Sequence, residues 1–215
     1  TLALNAKAKA LAKDGIKVLS FAVGEPDFPT PQVVVDCAIE ALRAGRTKYG
    51  PAGGGLEFRQ AIAGKLKREN KVDFSAEDIV AGIGAKEILF HIFLALINDG
   101  DEVLVPSPYW VSYPDQIIAA GGRPILLPLP KDIANEPLSV DLIERYATPR
   151  TVGIVLNSPN NPAGYMFGRP LLEAVGAYLA KRPWWVVSDE IYEYLAFDRP
   201  HISLLDVRPE LKDRF

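Results

Sequence analysis

Cysteine is all but missing from this chain: Cys37 is the only one among 215 residues. One thiol forms neither a disulfide framework nor a cysteine-based metal cluster. It stands between Pro31 and Ala44 with Val34, Ala38 and Ala41 at helical spacing, so its expected role is that of a small core hydrophobe. Long apolar runs are missing too. The longest, Ile88 to Ile97, contains His91 and falls well short of the about 20 residues that span a bilayer. The N-terminus has no basic-then-apolar signal pattern, so no membrane partner is expected and the cytoplasm is the default location. The third absence is an excess of either charge. A net charge of −3 and a pI near 5.5 leave no electrostatic footprint for nucleic acid, while small neutral or anionic metabolites remain open through local positive sites. The chain begins at Thr1 and stops at Phe215 after a charged, proline-containing stretch; both ends read as cut.

What is present is an ordinary globular composition, 48% hydrophobic and 24% charged, long enough for a well-buried core. Asn5 to Lys13 favours a helix ended by Gly15, and Val18 to Val23 reads as a short strand. Thr30-Pro31 predicts a capped start for the helix that carries Cys37. Thr47 to Gly55 is a glycine-rich loop, and Glu57 to Glu69 the next helix. Beyond Ser75, strands are expected at Ile79–Ile83, Glu102–Val105, Ile125–Leu129, Val152–Leu156 and Trp184–Val187. Helices are expected between them at Lys86–Ile97, Tyr113–Ala120, Val140–Tyr146 and Leu171–Ala180. This alternation, with continuously apolar strands, predicts a mainly parallel sheet covered by helices on both faces. Residues 1–47 show less of it and are expected to form a separate lobe, with 48–215 as an α/β domain.

Polar groups gather where these strands end, the edge at which open α/β sheets bind ligands. N-S-P-N-N-P-A-G offers the amide of Asn161; W-W-V-V-S-D-E-I-Y offers the carboxylate of Asp189 and the phenol of Tyr192. An amide, a carboxylate and a phenol together suit a flat heteroaromatic ring with a nitrogen and an oxygen. A carboxylate beside a pyridine-type nitrogen favours its protonated form by roughly 1–3 pKa units. The bland alternative for Asp189 is a helix cap. Gly82 to Glu87 is a strand-to-helix turn whose free N–H groups suit a phosphate, or a simple turn; as a dinucleotide fingerprint it fails, because the third glycine would fall at Glu87. Trp110 either walls a slot for the ring or packs its own loop. Lys48 and Tyr49 either reach a phosphate or decorate theirs, and Glu190 is expected to point away from its neighbour Asp189. His91 and His201 are assigned packing or surface roles.

Seven motifs, in order, resemble the class I aminotransferases of the pyridoxal-phosphate fold-type I superfamily, and within it the bacterial aspartate aminotransferase subgroup. They are G-E-P-D-F (24–28), T-K-Y-x-P (47–51), G-x-x-E-F-R (54–59), G-A-K-E (84–87), S-P-Y-W-x-S-Y (107–113), N-S-P-N-N-P-A-G and S-D-E-I-Y. The resemblance covers essentially the whole chain. It implies transamination between amino-acid and 2-oxo-acid substrates, aspartate and 2-oxoglutarate in this subgroup, by a homodimer. In residues it implies pyridoxal 5'-phosphate with its ring nitrogen on Asp189, its ring oxygen on Asn161 and Tyr192, its face on Trp110 and its phosphate at Gly84, Ala85 and Lys86. Tyr49 would serve the neighbouring subunit's cofactor, and Gly24, Trp110 and Asn161 would contact substrate. Ala163 replaces the family's usual threonine. The lysine that bonds the cofactor is expected after Phe215, since Lys86 and Lys212 do not match it; no catalytic residue is therefore assigned within the chain, and residues 1–215 alone are expected to be inactive. Residues 1–47 are then a segment of the small domain with the substrate loop, and 48–215 an incomplete large domain. Aromatic or alanine aminotransferase, carbon–sulfur β-lyase and a non-catalytic cofactor-sensing domain are the alternatives.

Overall fold

A computed structural model describes residues 2–19, 24, 27–130 and 138–215. Two units are distinguished, Thr1–Tyr49 and Gly50–Phe215. The first carries helices α1 (Leu2–Lys13) and α2 (Gln32–Arg43). The second runs α3 (Leu56–Lys65), a π-helical turn (Leu66–Asn70), α4 (Ala85–Leu96), β1 (Glu102–Ser107), α5 (Ser112–Ala119), β2 (Arg123–Pro128), α6 (Val140–Tyr146), β3 (Thr151–Asn157), α7 (Arg169–Leu179), β4 (Trp185–Asp189) and α8 (Leu204–Val207).

The four strands form one parallel sheet in the order β2-β1-β3-β4. Successive side chains point to opposite faces, and each face has its own core. Leu104, Ile154, Leu156 and Val186 pack with α7 and α8 through Leu172, Val175, Leu179 and Leu204. Val103, Val105, Val155 and Val187 pack on the other face with Leu89 and Phe93 of α4 and Tyr113 and Ile117 of α5. Both faces are thus covered, which is why these strands read as continuous apolar runs. From β1 the chain crosses to β2 on one side and then to β3 on the other, so loops at the carboxyl ends of β1 and β3 diverge. That divergence is a topological switch point, where open α/β sheets leave a crevice.

Four expectations are corrected or left aside. Ile79–Ile83 is not a strand: its backbone makes a single bond of this kind, from Ala81 N–H to Gly53 O, and Val80 and Ile83 are exposed, because a β-rich run needs a neighbouring strand to become one. Cys37 is exposed, not core; α2 buries none of its residues, so its apolar spacing makes a stripe and not an interior. Pro31, with ψ 136°, is itself the N-cap of α2, which starts the helix one residue later and leaves Thr30 without a capping bond. Of Val18–Val23, Val18 and Leu19 have no regular structure and the rest lies outside the described residues. Among the described residues no helix is long and apolar enough to cross a membrane.

Candidate active site

Three strand ends and one helix start converge at the switch point. The loop after β1 brings Trp110, the loop after β3 brings Asn161, β4 ends on Asp189 with Tyr192 one turn later, and α4 begins at Gly84. They surround one cavity of about 260 Å³, whose lining includes Gly84, Ala85, Lys86, Trp110, Asn161, Asp189 and Tyr192. Seven sequence-derived residues therefore meet in one place. Gly24 and Tyr49 belong to the first unit, where both are exposed.

Each group is held by identifiable bonds. Gly84 has φ 80° and ψ 160°, a backbone region open essentially to glycine alone, and it starts α4 without any side-chain cap. Its own N–H donates to the Gly82 carbonyl at 3.0 Å, while the N–H groups of the first turn have no partner within the helix; with Ala85 and Lys86 lining the cavity, this helix start is a ready anion site with the positive end of the helix dipole behind it. The Lys86 ammonium adds positive charge there, 5.1 Å from the centre of the Trp110 ring. Asn161 Nδ2 donates to the Tyr192 hydroxyl at 3.1 Å, so the amide and the phenol act as one paired polar edge. Asp189 Oδ1 accepts the Ile191 N–H at 3.3 Å, a bond across the turn that follows β4; its Oδ2 accepts the Tyr113 hydroxyl at 2.6 Å. The next helix is α8, so Asp189 is a cavity carboxylate and caps no helix. Glu190 indeed turns elsewhere, to the hydroxyls of Ser188 and Ser203 and to His201 Nε2. His201 is thereby buried in a polar network, while His91 is exposed on α4.

Two residues that build the site were not singled out by sequence. Asn157, 5% exposed, donates to the Asp189 carbonyl at 2.9 Å and accepts the Asn161 N–H at 2.9 Å, joining the β3 and β4 anchors through one amide. A polar residue closing an apolar strand was its only signal. Tyr113, 1% exposed, sits edge-on to Trp110 with ring centroids 5.4 Å apart. Burial, and then the charge of Asp189, push its phenol far above the ordinary tyrosine value, so it remains a donor. Among the described residues no group of three or more His, Cys, Asp or Glu is placed to hold a metal.

The sequence matches the family Aminotransferase class I and II over residues 16–214. The chain belongs to that family. A probable aspartate/prephenate aminotransferase from Aquifex aeolicus (strain VF5) is 44% identical over 214 residues, 99% of this chain and 54% of the relative. Among solved members of the family, aspartate aminotransferase from Rhizobium meliloti superposes with a TM-score of 0.94 at 34% identity, covering 99% of this chain and 54% of that one. Aspartate aminotransferase from Thermus thermophilus with maleate gives 0.91 at 40% identity, with 97% and 55% covered. The chain spans about half the length of the aminotransferases it matches.

Proposed function

We propose that this chain is the cofactor-holding part of a pyridoxal-phosphate-dependent aminotransferase that moves an amino group between aspartate and 2-oxoglutarate. The observation that carries the reading is the donor set of one cavity: a carboxylate, a paired amide and phenol, an indole, and an uncapped helix start. That set fits pyridoxal phosphate group by group. Asp189 would face the ring nitrogen, Asn161 and Tyr192 the ring oxygen, Trp110 a ring face, and the backbone at Gly84, Ala85 and Lys86 the phosphate. When bound, the cofactor supplies an electron sink for charge developing at the substrate α-carbon.

The chain's own residues set the conditions for that chemistry. Asp189 holds a proton on the ring nitrogen, and an opposite charge in contact is worth roughly 1–3 pKa units, or about 1.4–4 kcal/mol. Trp110 fixes the ring plane, with stacking adding about 0.5–1.5 kcal/mol beyond area burial. Residues 48–215 are read as part of the large, cofactor-binding domain, and 1–47 as a segment of the small domain with Gly24 on the substrate loop. Tyr49 is read as reaching the phosphate in the neighbouring subunit of a homodimer. A four-carbon dicarboxylate as amino donor is supported by the aspartate named for the relatives and by the maleate, itself a four-carbon dicarboxylate, named with one of them.

The test uses the complete reading frame, purified with pyridoxal phosphate and offered aspartate and 2-oxoglutarate. Expected are oxaloacetate and glutamate in equal amounts, and a lysine trapped on the cofactor by borohydride. Absence of both overturns the reading; pyruvate and ammonia released together from a sulfur amino acid point to a β-lyase.

A further inference from the structure

Asp189 is a carboxylate on a strand end, and the torsion that turns such a group is broad and weakly restrained. Left to itself it would present either oxygen, or neither, to a ligand. Its local partner is weak: the N–H of Ile191, in the turn after β4, reaches Oδ1 only at 3.3 Å. The bond that fixes the rotation comes from another element. Tyr113, in the first turn of α5 and 76 residues away in sequence, donates to Oδ2 at 2.6 Å, the short range of charge-assisted bonds. The phenol is itself held, fully buried in the core between α4, α5 and the sheet and set against the edge of Trp110. Because Oδ2 is taken from the core side, Oδ1 is the oxygen left for the cavity. One ring therefore touches both the carboxylate assigned to the cofactor nitrogen and the indole assigned to the cofactor face.

We propose that Tyr113 is a positioning residue that sets the rotation of Asp189 and so holds one carboxylate oxygen toward the cofactor ring nitrogen. The inference rests on the assignment of Asp189 given above. Removing the hydroxyl leaves a half-buried carboxylate with one oxygen unpaired and its rotation free, and a lost hydrogen bond to a charged group corresponds to a roughly 10–100-fold weaker interaction.

The experiment is 15N NMR at neutral pH of the holoenzyme from the complete reading frame, reconstituted with cofactor labelled at the ring nitrogen, in wild type, Tyr113→Phe and Asp189→Asn. Wild type is expected at the protonated position. Y113F is expected to move toward the unprotonated position and to bind the cofactor about tenfold or more weakly, while the apoprotein still folds cooperatively. Packing alone would not move the nitrogen resonance. Should Y113F not fold, Tyr113→Met fills the space with a flexible side chain and no donor and carries the same readout. An unmoved resonance in the folded Tyr113 variant, with a shifted one in D189N, overturns the role of Tyr113 and leaves Asp189 in place. An unmoved resonance in D189N overturns the assignment of Asp189 and this inference with it.

Discussion

Asn157 concentrates more of the site in one side chain than any residue that touches the cavity from a loop. Its amide makes four hydrogen bonds, to the carbonyls of Pro159 and Asp189 and from the Asn160 side chain and the Asn161 N–H. Truncation strands buried groups on two strand ends together. Asn157→Ala is expected to lower stability by about 1–3 kcal/mol, read by urea denaturation, and to weaken cofactor binding, read by fluorescence titration. At the opposite end of the sheet Glu102 is a second buried polar residue with a cost attached. Its side chain is 3% exposed, and the Thr148 hydroxyl, then the Arg150 guanidinium, hold its carboxyl below the ordinary 4.5. A depressed carboxylate stabilises the fold fully above its unfolded pKa, and the unfolded chain takes up the proton first as pH falls. Glu102→Gln should therefore cost about 1.5–3 kcal/mol at pH 7, a gap that shrinks below pH 4.5, checked by denaturation at both pH values. Sequence disclosed the groups that face the cavity, because Asp189, Asn161 and Tyr192 stand at or just past the ends of apolar runs, Asn161 among prolines and a glycine. It did not disclose Asn157 or Tyr113. Their importance lies in whom they bond across 32 and 76 residues, and no local pattern carries that.

The strands obey a tighter rule than hydrophobicity, which Gly153 illustrates. It lies directly opposite Trp185 in the β3–β4 register, and a β-carbon there would sit 2.2 Å from the indole. The absent side chain lets the ring lie across the sheet toward Phe93, with centroids 6.3 Å apart. Gly153→Ala forces Trp185 off that packing and is expected to cost about 1–3 kcal/mol, visible as a lower melting temperature and a changed near-ultraviolet tryptophan signal. Helices α4 to α7 and strands β1 to β4 were legible because each carries its own periodicity or apolar run, with no end off by more than two residues. Ile79–Ile83 has the same β-rich composition and forms no strand, since among the described residues no neighbouring strand pairs with it and its one bond to a distant segment is to the Gly53 carbonyl. The Cys37 helix fails in the parallel way: spacing produces an apolar stripe, and burial requires a second surface. Local pattern specifies what an element is, and only neighbours decide whether it is inside.

On the scale of the whole chain, that dependence on neighbours is concentrated along β4. Among the described residues this strand pairs with β3 alone, and beside it runs an apolar groove of about 970 Å³ lined by Ile88, Ile92 and Leu96 of α4 together with Trp185, Val187 and Ile191. An open strand edge next to apolar surface is a template for pairing with another chain, and exposed patches of this kind in monomers mark interaction or aggregation sites. The aminotransferases that the chain matches are about twice its length; 54% of the Aquifex relative is covered. The 215-residue polypeptide produced by itself is therefore expected to self-associate on size-exclusion chromatography and to enhance the fluorescence of an apolar dye. The product of the complete reading frame should elute as a discrete species with little dye signal. A Lys substitution separates the two sources of association: Leu96→Lys, in the groove where the leucine is 43% exposed, should reduce dye binding by the short polypeptide, whereas Leu126→Lys, on the β2 side where the leucine is already 40% exposed, should leave it unchanged. Equal dye binding by the short and complete proteins would show that the groove is a free surface of the folded protein and not a face covered by its own chain.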